Sequence, residues 1–249
     1  MARIDYVELN SWEEFKVELF RDLYSDGKYE KGKYIFRGHK SAAWRLESSF
    51  DRWARNIPLA ERANAFDELL ADFRSNLEQS VDYHAICEKE NELLALAQHY
   101  GLSTRLLDWT YSPYVAAFFA FSDSILSATE ATAGKVCIWA LNVDSAVWSR
   151  DNGATIIDVP VIENGRLRNQ EGCFTYLRSP FECIEDYVGA FRDNDDTVLI
   201  RYEVPIVEAL KALSDLDAMG VTYKRVYPEI EGLVKSARNR FLLRRNGIV

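Results

Sequence analysis

One run of seven apolar residues, Val115-Ala116-Ala117-Phe118-Phe119-Ala120-Phe121, constrains this chain more than any other stretch. Ser112-Pro113 ahead of it is a helix start, because serine caps the exposed amides and proline at the first helical position loses no hydrogen bond. A helix that is apolar all round has no face to offer water, so it belongs in the middle of a domain. The 249 residues suit one large domain or two small ones, and the rest of the chain has to supply that helix with cover.

Periodicity indicates what supplies it. Ser11-Trp12-Glu13-Glu14 is a capping-box signature, and Trp12, Phe15, Leu19, Phe20 and Leu23 continue it as a helical stripe over residues 11–24, ended by Asp26-Gly27. Residues 33–36 are aromatic and β-branched, which predicts a short strand that delivers Arg37 and Gly38 at its end. Residues 59–79 place Phe66, Leu69, Leu70, Phe73 and Leu77 on one helical face; a second helix is predicted over 82–100, with Gly101 as its C′ residue. Residues 102–111 are then expected to form a loop held between two helices. Strands are predicted over 135–142, 155–159 and 197–204, a helix from Pro205 to Met219, a last strand over 221–227 and a last helix over 229–241. With no internal repeat or linker, the expected architecture is a single α+β domain over residues 1–249. Its helices concentrate in 59–128 and pack on a mixed or antiparallel sheet drawn mainly from the second half.

Two short runs concentrate side chains capable of chemistry. In Tyr34-Ile35-Phe36-Arg37-Gly38-His39, Arg37 offers a planar fork of donors that suits phosphate, and Gly38 lets an anion approach closely; the alternative for Arg37 is a structural salt bridge. The run from Gln98 to Thr110 holds His99, Ser103, Thr104, Arg105, Asp108 and Trp109. His99 is either a general base or a donor to the carbonyls at a helix end. Thr104, Arg105 and Asp108 either bind a ribose and a phosphate or pin their own loop, and Trp109 either stacks on a planar ring or packs in the core. Gln170 and Glu171, beside Gly172, either hold a sugar hydroxyl or form an exposed turn. Glu229 and Glu231 read as first-turn acids of a helix.

The net charge of −9 argues against broad non-specific binding to nucleic acid. Cys87, Cys137, Cys173 and Cys183 form no C-x-x-C pair and read as reduced, buried thiols. Three histidines without an H-x-x-x-H pair make a histidine-based metal site unexpected. No P-loop, dinucleotide fingerprint, nucleophile elbow or zincin motif occurs. With no apolar signal core and no membrane-length apolar run, the expectation is a cytoplasmic protein that does not engage the membrane.

At these residues the chain resembles the FRG domain family, named for its (F/Y)RG tripeptide. Phe36-Arg37-Gly38 matches the tripeptide, and the run from Ala97 to Thr110, with Ser112-Pro113 and Ala116-Ala117-Phe118-Phe119-Ala120, is similar to the family's most specific signature. Arg168-Asn169-Gln170-Glu171-Gly172-Cys173-Phe174 and Tyr227-Pro228-Glu229-Ile230-Glu231-Gly232 resemble its later segments, so the resemblance spans about residues 30–236. An aromatic-Arg-Gly leaving an early strand also resembles the first motif of ADP-ribosyltransferases, in which the arginine helps to hold NAD. That resemblance implies an NAD-dependent ADP-ribosyltransferase or NAD-cleaving enzyme. Arg37 and Gly38 would sit at the dinucleotide, Thr104 or Ser103 on a supporting strand, and Gln170 or Glu171 at the nicotinamide ribose. Trp109 or Tyr100 would stack on the nicotinamide, and His99, Arg105 and Asp108 would line the site. The chain departs from that pattern, with no Ser-Thr-Ser run and no Glu-x-Glu. The acceptor implied is protein, nucleic acid or water, in the setting of bacterial phage defence or a toxin system. The other reading is a non-catalytic nucleotide-binding or regulatory module; a nuclease is a third.

Overall fold

A computed structural model describes residues 2–79, 84–126, 134–158, 171–192, 196–227 and 230–245. In chain order its elements are β1 (Arg3–Glu8), α1 (Trp12–Leu23), a hairpin of β2 (Tyr24–Ser25) and β3 (Lys28–Tyr29), β4 (Tyr34–His39), α2 (Ser49–Trp53), α3 (Arg62–Leu77), α4 (His84–Cys87) and α5 (Glu90–His99). There follow β5 (Leu106–Thr110), α6 (Pro113–Leu126), β6 (Lys135–Asn142), β7 (Ala154–Ile157), β8 (Gly172–Leu177), α7 (Ile184–Gly189), β9 (Thr197–Pro205), α8 (Ala209–Ala218), α9 (Tyr223–Val226) and α10 (Ile230–Arg245). Seven strands form one sheet in the order β1-β9-β6-β4-β5-β8-β7, parallel only between β1 and β9. The protein is therefore a single α+β domain on a mixed sheet.

The apolar helix α6 lies where its composition requires. Val115, Ala116, Ala117, Phe118, Ala120 and Phe121 are all buried, packed between the sheet and α1, α8 and α9. On the same sheet face, over β5, β8 and β7, a second cluster joins α2, α3 and α5 through Phe50, Phe66, Leu70, Leu93 and Leu94 to Leu106, Phe174 and Tyr176. The opposite face is covered by α7 and loops, with Ile35, Leu107, Trp109, Trp139 and Leu199 beneath them. Among the described residues no helix is long and apolar enough to cross a membrane, and all four cysteines are free and buried.

Locally encoded signals were realised. Ser11 Oγ accepts from Glu14 N at 3.2 Å, although the Glu14 carboxylate turns back to the Asn10 amide at 2.7 Å rather than to that of Ser11. Ser112 Oγ accepts from Val115 N at 3.3 Å, leaving Pro113 at the first helical position. Gly101, at φ +85°, closes α5 with both bonds of a Schellman motif: Leu102 N to Ala97 O at 2.9 Å and Gly101 N to Gln98 O at 3.1 Å.

Four expectations need correcting. The helix expected over 82–100 is interrupted between α4 and α5, at Glu88 and Lys89. The expected loop 102–111 is half strand, because Leu106–Thr110 pairs along its whole length with β8. The strand expected over 221–227 is the short helix α9: Thr222 Oγ1 caps the amide of Arg225, and Tyr223 and Val226, three apart, turn inward together. Arg37 and Gly38 do not sit beyond a strand but inside one, paired with Trp139 and Ile138 of β6. Gly38 serves the helix rather than an anion, since a Cβ there would come within 1.9 Å of the Ala116 carbonyl oxygen.

Candidate functional site

The sheet opens at its centre. β4 runs in register with β6 over six residue pairs, yet it meets β5 in one pair only, Phe36 with Thr110. Beyond that pair the side chain of Arg37 takes over the role of the missing ladder. Its Nη1 donates to the backbone carbonyl of Asp108 at 2.6 Å and stands 3.8 Å from Asp108 Oδ2. Its Nε donates to His39 Nε2 at 3.1 Å. Among the described residues no hydrogen bond engages Nη2, and the side chain is 21% exposed. The guanidinium is thus fixed by two bonds while donors at its outer nitrogen remain for a ligand.

A chain of hydrogen bonds fixes the carboxylate opposite. Asp108 Oδ2 accepts from Gln98 Nε2 at 3.0 Å, and Gln98 Oε1 accepts from the hydroxyl of Thr104. A carboxylate can only accept, so the Gln98 amide has to turn its nitrogen toward Asp108 and its oxygen toward Thr104. Thr104 is fully buried and tied to α2, its carbonyl accepting from Ser49 Oγ at 3.1 Å and from Phe50 N at 3.0 Å. The Asp108 side chain itself is 60% exposed. It therefore stands at the surface on a rigid support.

His39 belongs to this face because it lies two residues from Arg37 on one strand. It is 5% exposed, and burial, with Arg37, Arg52 and Arg201 nearby, pushes its pKa down to about 3, the Trp44 backbone opposing the shift. Arg37 is always a donor, so Nε2 is unprotonated and the ring is neutral. Between pH 6.5 and about 3 the unfolded chain binds a proton here that the native protein does not, so stability is lost as pH falls. From pH 7 to pH 5 the loss through this group is expected to be about 2 kcal/mol. Urea unfolding of wild type and His39→Asn, which keeps an acceptor for Arg37, checks it: the variant should lose less over that interval, and equal losses would refute the assignment.

One aromatic ring and further positive charge border the site. Trp44 is 49% exposed, with its ring 6.0 Å from that of His39 and Lys40 Nζ 5.3 Å above it. Arg52, on α2, is exposed, and its charge acts on both Arg37 and His39. His99 and Tyr100 stand exposed at the end of α5, their rings 5.0 Å apart.

The other residues singled out from sequence go elsewhere. Arg105 is 1% exposed and committed: Nε to Asp51 at 3.3 Å, Nη1 to Arg178 O at 3.2 Å, Nη2 to Ser179 O at 3.2 Å. Trp109 is buried, and its indole donates to Thr175 Oγ1 at 2.9 Å, so its ring is core. Glu171, at φ +49°, lies beyond the Thr110 end of β5, with its carboxylate 4.0 Å from Arg225. Among the described residues no hydrogen bond or ion pair joins it to Arg37. Gln170 and Glu229 lie outside the described residues. Sequence reasoning named neither Gln98, His39, Trp44 nor Arg52 as site residues. His39 was recoverable from its alternation with Arg37, whereas Gln98 was not, since its partners come together only in the folded chain. Among the described residues no cluster of His, Cys, Asp and Glu is arranged to hold a metal.

Comparison with known proteins gives one family match over part of the chain and nothing finer: no curated protein and no solved structure matches. Residues 32–128, which run from the turn before β4 to the end of α6 and so carry Arg37, Gln98, Thr104 and Asp108, match the FRG domain.

Proposed function

We propose that the opening between β4 and β5 is a nucleotide-binding site. In this reading Arg37 holds a phosphate through Nη2, Arg52 adds a second positive charge, and the exposed indole of Trp44 takes a base or nicotinamide ring. One observation carries the reading: Arg37 fills a gap in its own sheet, anchored by Asp108 O and His39, with its outer nitrogen still available. Arg105, by contrast, is buried and gives Nε, Nη1 and Nη2 to Asp51 and to the carbonyls of Arg178 and Ser179.

NAD is the first ligand to try, and its cleavage is the catalytic form of the proposal. That chemistry needs a group to stabilise the positive charge that develops at the ribose C1′. Asp108 is the carboxylate beside Arg37, and we assign it that role in preference to Glu171, which faces Arg225. Transfer to a protein or nucleic-acid acceptor, and service in phage defence or a toxin system, would follow from such an activity.

Calorimetric titration with NAD, ADP-ribose and AMP, alongside a nicotinamide-release assay, tests both forms. Arg37→Ala should weaken binding by about 10- to 100-fold, the worth of a charge-assisted hydrogen bond to an anion. Asp108→Asn should abolish release while leaving affinity within a few-fold. Binding without release would leave a non-catalytic nucleotide module. If none of the three ligands binds, or if Arg37→Ala binds as wild type does, the site is not a nucleotide site.

A further inference from the structure

Among its described side chains, the last helix turns its apolar residues to water. Toward the protein α10 presents Gly232, whose absent Cβ would meet the Tyr227 carbonyl oxygen at 1.8 Å, and Asn239, which is buried. Toward water it presents Ile230 (79% exposed), Leu233 (50%), Val234 (63%) and Phe241 (61%). With the exposed Ala237, the residues Ile230, Val234, Ala237 and Phe241 recur at steps of four, three and four, the spacing by which one helix seats against another surface. Amphipathic helices normally turn that stripe inward. A contiguous exposed stripe of this kind marks an interaction face.

Charge narrows the occupant. From Ile230 to Arg245 the helix carries Lys235, Arg238, Arg240, Arg244 and Arg245 against Glu231 alone, in a chain of net charge −9. Two such helices laid side by side would bring like charges together, which disfavours pairing of α10 with α10. A complementary surface lies elsewhere on the same molecule. β1 is the end strand of the sheet, and between it and α1 runs an open groove of about 520 Å³. Val7, Leu9 and Val17 give it apolar walls, and Glu8, Glu14 and Glu18 give it acid. Glu8 and Glu18 are engaged by Lys135 at 3.2 Å and Arg21 at 2.7 Å. Both pairs are surface pairs of the weak, exchangeable kind.

We propose that α10 of one copy docks in the β1–α1 groove of a second copy, its apolar stripe against Val7, Leu9 and Val17 and its arginines against the glutamates. Reciprocal exchange of helices closes a dimer, and one-way docking extends a chain. Sedimentation velocity of the full chain at low salt should show the average mass rising with concentration to at least twice that of the monomer, and falling back as salt screens the contact. Val234→Glu with Phe241→Glu should hold the monomer mass, as should Glu8→Lys with Glu18→Lys. Mixing the groove-reversed protein with Arg238→Glu/Arg240→Glu should restore assembly. Circular dichroism matching that of wild type shows that these surface variants fold. A monomer at every concentration, or assembly indifferent to both sets of variants, overturns the proposal. A monomer that co-sediments with phosphatidylserine vesicles, and stops doing so in Val234→Glu/Phe241→Glu, overturns it in favour of a membrane surface.

Discussion

Gly38→Ala is expected to be among the most damaging single methyl groups this chain can acquire. The new Cβ would stand 1.9 Å from the Ala116 carbonyl oxygen and 2.8 Å from the Ala120 amide nitrogen. Both are backbone atoms of α6, so no side-chain rotation relieves the contact. The helix cannot simply retreat, because Phe118 and Phe121 on its other sides are fully packed against Tyr223 and Trp12. Nor can the strand, because β4 is held by six pairs to β6. Overpacking a core side chain costs about 1–3 kcal/mol, and a clash between two fixed backbones lies at or above the top of that range. With whole-domain stabilities of about 5–15 kcal/mol, Gly38→Ala should lower Tm by about 6–12 °C or leave the protein insoluble. Thermal unfolding of the variant checks it, and a Tm within about 2 °C of wild type would show that the helix and strand can part.

The contrast between this glycine and the reading of it from sequence shows where sequence patterns stop. Beside an arginine, a glycine suggests room for an anion, and the tripeptide invites that view. Its three residues in fact divide the work by strand parity. Phe36 turns into the core under α6, Arg37 turns to the opposite face and into the gap, and Gly38 turns back to let α6 come close. Parity was available from the sequence; the helix that lands on Gly38 was not.

The same limit explains the rest. Features closed within one turn of chain were legible: the caps at Ser11 and Ser112, the stop at Gly101, the burial of α6. β5 was not, because Leu106 and Leu107 are buried on opposite faces and Asp108 alone is exposed, which removes the alternation that marks a half-buried strand. Its strand character comes from β8, more than sixty residues away in the chain. Of the site, the meeting of the Arg37 run with the Asp108 run was legible as a concentration of polar side chains near glycines. The opening between β4 and β5 was not, since it depends on where two strands stop pairing.

Asp51→Ala is the second change expected to be severe, and it separates fold from site. Asp51 and Arg105 are each 1% exposed and Arg62 is 4% exposed, so one carboxylate faces two buried guanidiniums, at 3.3 Å from Arg105 Nε and 3.8 Å from Arg62 Nη1. Ser48 Oγ completes the group by donating to Asp51 Oδ2 at 2.5 Å. Removing one partner from a buried ion pair costs about 3–5 kcal/mol, because the charge left behind has neither water nor a counter-ion. Here two charges are left behind, so Asp51→Ala should fall at the upper end of that range in urea unfolding. Asp51→Leu combined with Arg105→Met removes one of them together with its partner, and should cost less than the sum of the single changes by about 1–3 kcal/mol. Additive losses would mean that the two residues do not share an interaction. Sequence alone left Arg105 free to be either a ligand contact or a structural pin, and the same variants decide between these roles. As a pin, Arg105→Met should lower stability strongly while the folded protein keeps its Arg37-dependent ligand affinity within a few-fold. If affinity collapses while stability holds, Arg105 reaches the ligand and the loop from Arg178 to Phe181 must move aside to let it do so.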